Sequence, residues 1–148
     1  MFEVLFLPAL KRYSSVGVLL LRIVVGVFLI WGAWDAVFHP EHLWELAEFL
    51  AKFHFPVPHL MARLSVYAQL IAGAGFITGL FTRWAGVLCA VNFGMTLAMV
   101  ERFAGLRGAF PAICLIVIGV FLALHGSGRF GLDAILESTT NRRFDHRY

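Results

Sequence analysis

The stretch that decides the fold is VGVLLLRIVVGVFLIWGAWDAVF, residues 16–38. Among these residues only Arg22 and Asp35 carry a charge. A run of roughly 20 mostly apolar residues is long enough to cross the hydrocarbon core of a bilayer as an α-helix. His39-Pro40 follows, and proline disfavours a helical conformation at the residue before it. The stretch therefore predicts a membrane-spanning helix from about residue 14 to residue 38.

The composition of the whole chain has the same character. Of its 148 residues, 60% are hydrophobic and 14% are charged, whereas roughly 25% of the residues in a soluble domain are charged. This composition excludes an ordinary soluble enzyme, a disordered protein and a collagen-like fibre. Basic residues that flank membrane spans explain the net charge of +3 better than nucleic-acid binding does. We expect the lipid bilayer as a partner, and no nucleic acid.

Three further apolar stretches predict spans at about residues 60–80, 84–100 and 109–124. Between the first two spans, EHLWELAEFLAKF at residues 41–53 places apolar and charged side chains on different faces of a helix. Such a helix is too charged to span a membrane and is expected to lie in its interface. A polar tail covers residues 137–148. We predict one all-α domain over residues 1–148, an integral membrane four-helix bundle with an interfacial amphipathic helix between spans 1 and 2.

The basic residues predict the orientation of this bundle. Four spans put both termini on the same side of the membrane. If that side is the cytoplasm, the inner segments and span ends carry eight basic residues and the outer ones carry four. The positive-inside rule therefore predicts cytoplasmic termini. The inner residues are Lys11, Arg12, Arg22, Arg83, Arg129, Arg142, Arg143 and Arg147, and the outer ones are Lys52, Arg63, Arg102 and Arg107.

Small residues recur every four positions on the second and third spans. Lipid tails are as apolar as leucine, so helices in a membrane associate through close backbone approach and polar contacts. The two ridges predict either packing inside the bundle, which we favour, or a homo-oligomer. They consist of Gly75 and Gly79 on the second span, and of Gly86, Ala90, Gly94 and Ala98 on the third.

Few polar side chains lie deep in the predicted spans. Arg22 lies about eight residues into the first span. An ionisable residue at this depth is a functional candidate, and the alternative is a side chain that extends to the headgroups. Gln69 can hydrogen-bond to Arg22 if the first two spans are neighbours. Asn92 and Thr96 share a face of the third span, where we favour a packing role.

Aromatic and acidic residues meet near the outer end of the first span. Trp31 and Asp35 are four residues apart and face the same way. A carboxylate beside an indole can bind a polar head group, such as the ring of a quinone. The alternative, which we favour, is an interfacial aromatic belt with a solvated carboxylate.

Four histidines cluster in the predicted outer segment. Histidine is a common metal ligand, but these four match no known ligand spacing and no cysteine is near them. We therefore predict no metal site and treat them as weak candidates only. They are His39, His42, His54 and His59.

The sequence after the fourth span reads GSGRFGLD, residues 126–133. This GxGR[FY]xLD pattern resembles the DoxX family. Leu20-Leu21-Arg22 with Gly26, the Pro56-x-Pro58 connector and GLFTR at residues 79–83 fit the same family. The resemblance covers about residues 15–136. It implies a small bacterial inner-membrane protein with four helices, from a family named after a subunit of a thiosulfate:quinone oxidoreductase, with other members associated with redox assemblies.

Two departures from the family pattern bear on function. The family commonly has a His-Gly pair followed by a lysine in span one, where this chain has Trp31-Gly32 and Asp35. It commonly has a glutamate in span two, where this chain has Gln69. These departures remove a titratable pair and weaken the case for a proton-coupled redox role.

The terminal motif matches the family more closely. Arg129 and Asp133 lie four residues apart and can pair with each other or with Arg22. The alternative, which we favour, is a helix stop at which Arg129 binds phospholipid.

Our leading hypothesis is a redox-linked membrane subunit that holds a quinone or docks a soluble oxidoreductase or another membrane subunit. It has no intrinsic cofactor, so electrons would come from a partner. No catalytic motif appears, so no catalytic residue is assigned. A non-enzymatic scaffold or assembly factor is the alternative, and a small-molecule carrier is less favoured because no span is interrupted. The candidate quinone-binding residues are Arg22, Trp31, Asp35, Gln69, Arg129 and Asp133.

Overall fold

The computed structural model describes residues 13–54, 56–99, 105–128 and 131–133. These residues are mostly helical and contain no strand, which confirms the predicted all-α class. The predicted polar tail, residues 137–148, lies outside the described residues. The main helices are α1 (Ser14–Phe38), α2 (Pro40–Lys52), α3 (Pro58–Thr78), α4 (Thr82–Met99) and α5 (Gly105–His125).

Three of the described helices are long and apolar enough to cross a membrane. They are α1, α3 and, over Arg107–His125, α5. The predicted third span corresponds to α4, which is 18 residues long and carries Arg83, Asn92 and Thr96. By length and composition, the structure therefore supports three of the four predicted spans.

A pair of glycines lets α1 and α3 cross closely. A Cβ atom built on Gly73 would lie 2.8 Å from the carbonyl oxygen of Gly26, and one built on Gly26 would lie 2.8 Å from that of Gly73. No side chain fits at this separation, so both positions require glycine. The crossing places Arg22, one turn before Gly26, beside the last turn of α3.

Glycines also set the contact between α4 and α5. A Cβ atom on Gly119 would lie 2.8 Å from the carbonyl oxygen of Gly86. On α3, a Cβ atom on Gly75 would lie 2.8 Å from Cβ of Ala85 in α4. Gly94, two turns beyond Gly86, has no atom within 4 Å of its Cβ position. One half of the α4 ridge therefore packs within the chain, and Gly94 faces open space.

The short helix α2 packs apart from the main core. Ala47 and Leu50 are buried together with Ala62 of α3, whereas the main core draws on α1, α3, α4 and α5. The charged side chains of α2 are exposed, namely Glu41, Glu45, Glu48 and Lys52. We call the end of the molecule that contains α2 the α2 end, and the end that contains the buried arginine the Arg22 end.

Candidate functional site

The guanidinium of Arg22 is completely buried, with 0% of the residue exposed. Its Nε donates a hydrogen bond to the carbonyl oxygen of Phe76 at 2.9 Å, and Nη1 donates to that of Ser127 at 2.6 Å. Phe76 lies in the last turn of α3, and Ser127 follows α5. The last carbonyls of a helix lack intrahelical partners and carry partial negative charge, which suits a cation. Arg22 thereby ties the ends of α3 and α5 to α1.

The end of α3 is shaped around this guanidinium. Gly79 ends the helix in the left-handed region, with φ of 70°, and its N–H donates to the carbonyl oxygen of Gly75 at 2.9 Å. A Cβ atom on Gly79 would collide with Nη2 of Arg22. Nη2 is itself buried and has no hydrogen-bond partner among the described residues. Glycine is therefore required here by both the backbone conformation and the arginine.

Asp133 closes the Arg22 end by capping α4. Its carboxylate accepts hydrogen bonds from the N–H groups of Phe81 at 2.7 Å and Thr82 at 3.0 Å. Its own N–H donates to the carbonyl oxygen of Gly79 at 3.0 Å. A carboxylate at a helix N-terminus satisfies free N–H groups and is favoured by the helix dipole. Its charge also attracts Arg22, but no ion pair joins the two in the described part of the chain.

A cavity of about 450 Å³ lies toward the α2 end, between α2, α3 and α4. Its walls are mostly apolar and include Leu46, Phe49, Leu64, Val91 and Met95. Ligand sites in proteins commonly have volumes of roughly 300–1,000 Å³, with apolar walls and a few placed polar groups. The polar residues that line this cavity are Ser65, Gln69, Asn92 and Thr96.

These polar residues come from two neighbouring helices. On α3, Nε2 of Gln69 donates to Oγ of Ser65 at 3.4 Å. On α4, Oγ1 of Thr96 donates to the backbone carbonyl oxygen of Asn92 at 3.1 Å. Nδ2 of Asn92 is buried without a hydrogen-bond partner among the described residues. Two amide side chains therefore line one cavity, and one of them has an unused donor.

The structure separates residues that the sequence grouped into one site. Arg22 and Asp133 lie at the Arg22 end, and neither lines the cavity. Asp133 caps α4 instead of forming the ion pair with Arg22 that the sequence offered as one option. Trp31 is 74% exposed on α1. Arg129 lies outside the described residues, as does the side chain of Asp35.

Gln69 is the predicted site residue that lines the cavity. The first two spans are neighbours, but Gln69 does not bond to Arg22. Its Oε1 lies 3.8 Å from the Cβ position of Gly32, about three helical turns along α1 from Arg22. Asn92, which the sequence assigned to packing, joins Gln69 in the cavity. The sequence signal for Asn92 was an amide in an otherwise apolar helix. The sequence did not show that this side of α4 faces α3.

The four histidines that the sequence offered as weak metal-site candidates are exposed. Nδ1 of His42 lies 3.4 Å from a carboxylate oxygen of Glu45, and the rings of His59 and Trp44 meet edge to face at 4.6 Å. Within the described ranges, no three residues of the metal-ligating types come together.

Comparison with known proteins gives one match. The DoxX family model matches residues 17–102, more than half of the chain. No curated protein and no solved structure matches the chain. The matched region runs from α1 to just beyond α4 and includes the buried arginine, the glycine crossing and the cavity. With its long apolar helices, the chain belongs to the DoxX family of membrane proteins.

Proposed function

We propose that this protein is a quinone-associated membrane subunit, or the membrane anchor of a soluble oxidoreductase, and that it binds quinone in the cavity. The observation that carries this proposal is the apolar cavity of about 450 Å³ lined by the amides of Gln69 and Asn92. A membrane quinone combines an apolar tail with ring carbonyl oxygens. Apolar walls suit the tail, and amide N–H groups suit the carbonyls.

The proposal assigns no redox centre to this chain itself. In this proposal, electrons reach the quinone from a partner, either a soluble oxidoreductase or another membrane subunit. Arg22 and Asp133 then support the fold on which the cavity is built, and Gln69 and Asn92 contact the ligand. The association of the family with redox assemblies points in the same direction.

For the membrane arrangement, we propose four spans in the bacterial inner membrane, with α4 as one span and α2 in the outer interface. The support for α4 is its packing between α3 and α5, which are both apolar enough to span. Its polar residues Thr82 and Asn92 lie within the protein or along the cavity. The basic residues favour cytoplasmic termini. A cysteine introduced at His42 should react with an impermeant reagent from the periplasmic side, and reaction only from the cytoplasmic side would reverse the orientation.

A scaffold or assembly role is the second candidate. The open space beside Gly94 and the exposed Ala98 one turn later favour it, because another helix can pack there. Such a helix could come from a second copy or from a different membrane subunit. Crosslinking through Ala98→Cys, with Ala74→Cys on the exposed face of α3 as the control, would reveal that contact.

The quinone proposal is tested by purifying the protein in mild detergent and identifying the bound molecules by mass spectrometry. Ala68 lines the cavity, whereas Ala74 of the same helix is exposed. The Ala68→Phe variant fills the cavity and should lose bound quinone. The matched Ala74→Phe variant should retain it. Absence of quinone from the wild type, or equal quinone in both variants, would contradict the proposal.

A further inference from the structure

A residue that lines the cavity carries a hydrogen-bond donor that no described residue uses. The side chain of Asn92 lines the cavity, and its Nδ2 is buried without an acceptor. A buried amide N–H without a partner loses its bonds to water and gains nothing in exchange. Folded proteins rarely leave such a group unsatisfied. The unused donor therefore belongs to a side chain that borders the cavity. Rotation of this side chain would bring the donor to a ligand.

The other polar residues of the cavity are partly engaged in hydrogen bonds. Oγ of Ser65 accepts from Gln69, and the hydroxyl of Thr96 donates to the backbone of Asn92. The remaining walls are almost entirely apolar. An apolar ligand body that fills the cavity displaces its water, and an oxygen atom of the ligand then offers an acceptor to Asn92.

One side of the cavity is bordered by exposed apolar side chains. Phe49 is 43% exposed, Val91 is 59% exposed and Met95 is 50% exposed, and all three also line the cavity. Phe49 belongs to α2 and the other two belong to α4. An apolar chain that leaves the cavity on this side passes these three apolar side chains.

We infer that Asn92 sets the chemical selectivity of the cavity. Its side chain turns toward the ligand, Nδ2 donates to a carbonyl oxygen at the inserted end, and the apolar tail leaves past Phe49, Val91 and Met95. This inference rests on the proposed function and deepens it, because it assigns the head-group residue and the direction of the ligand. It also specifies the ligand class as a neutral apolar molecule with an acceptor oxygen at one end.

The test compares two probes in detergent, a decyl-substituted benzoquinone and decylbenzene, which has the same tail and no carbonyl. The wild type should bind the quinone probe more tightly. Asn92→Leu, which removes the donor at similar volume, should weaken quinone binding about five- to tenfold and leave decylbenzene binding unchanged. Val87→Leu, on the same helix but exposed and outside the cavity, is the matched control and should keep the preference.

A second measurement needs no variant. The infrared carbonyl band of the bound quinone probe should lie at lower wavenumber than that of the probe in detergent alone, because a hydrogen bond weakens the C=O bond. Equal quinone affinity in the wild type and in Asn92→Leu, or an unshifted carbonyl band, would overturn the role of Asn92 and leave quinone binding in the cavity standing. A wild type that binds neither probe would overturn both the inference and the proposed function.

Discussion

The two ends of the molecule use their polar groups in different ways. At the Arg22 end, Nε and Nη1 of the guanidinium and the carboxylate of Asp133 are bonded to backbone groups at helix ends, and Nη2 alone of the guanidinium nitrogens is without a partner among the described residues. At the α2 end, the amides of Gln69 and Asn92 border a cavity, and Nδ2 of Asn92 has no partner. A buried charge in a membrane helix is a functional candidate by default. In this chain, the role of Arg22 is indicated by the groups to which it is hydrogen-bonded and not by its charge alone.

The difference has an energetic basis. Burying a charge is very costly unless it is hydrogen-bonded or paired, so a completely buried arginine is tolerated only where carbonyl groups are arranged to receive it. A neutral amide can remain without a partner at a much smaller cost. The Arg22 end is therefore expected to be rigid and sensitive to substitution. The cavity walls are expected to tolerate changes that alter ligand binding.

The largest effect on stability is expected for Arg22→Ala. It leaves the carbonyl groups of Phe76 and Ser127 buried without their donor and opens a void, so the free energy of unfolding should fall by about 3 kcal/mol or more. Reversible unfolding in mixed detergent measures this change. Ile23→Ala, at the adjacent half-exposed position, should cost less. If the Arg22→Ala protein is stable and has lost only its ligand, the ligand binds at the Arg22 end and not in the cavity.

Gly79→Ala should have the next largest effect. The left-handed conformation at this position disfavours any Cβ atom, and the new methyl group would collide with Arg22, so we expect a loss of about 1–3 kcal/mol. Gly94→Ala is the matched control, because its Cβ position is open and alanine favours helix. The same unfolding assay should show this control to be as stable as the wild type or slightly more stable. Equal losses in the two variants would argue against the packing described around Arg22.

Asp133→Ala should have a smaller effect. Removing the carboxylate leaves the N–H groups of Phe81 and Thr82 uncapped and should cost about 1 kcal/mol. Glu41→Ala changes an exposed carboxylate in the first turn of α2 and serves as the control. Thermal unfolding in detergent should show a lower midpoint for the first variant than for the second. An unchanged midpoint for Asp133→Ala would mean that the cap is dispensable.

Ala68→Phe should have the smallest effect on stability, because the added ring occupies existing space in the cavity. We expect the free energy of unfolding to change by no more than about 1 kcal/mol, whereas quinone binding is lost. Unfolding and ligand binding measured on the same preparation separate the two quantities. A large loss of stability would indicate that the cavity does not accept a ring of this size.

Much of the fold could be predicted from the sequence. Apolar length predicted α1, α3 and α5, and His39-Pro40 marked the end of α1. The helical spacing of charged residues separated α2 from the spans. These features are local, and each depends only on residues close together in the chain.

The candidate site could be predicted only in part, because it depends on contacts between distant residues. Arg22 and Gln69 were both recognised as buried polar residues, but helix register places Gln69 alongside Gly32. For Asp133 the sequence left pairing with an arginine as one option, whereas the turn after α3 brings backbone N–H groups to its carboxylate. Asn92 is a site residue because α2 and α3 leave space beside it, and this space depends on how the three helices pack.

Photolabelling tests most directly whether the ligand binds at the α2 end and not at the Arg22 end. An azido-substituted quinone, activated by light on the purified protein and located by mass spectrometry of its peptides, marks the residues that surround the bound ring. The account predicts label in residues 46–50, 61–69 and 88–96, competed away by unlabelled quinone. Competed label around Arg22 and residues 126–133, with none in the cavity walls, would contradict it.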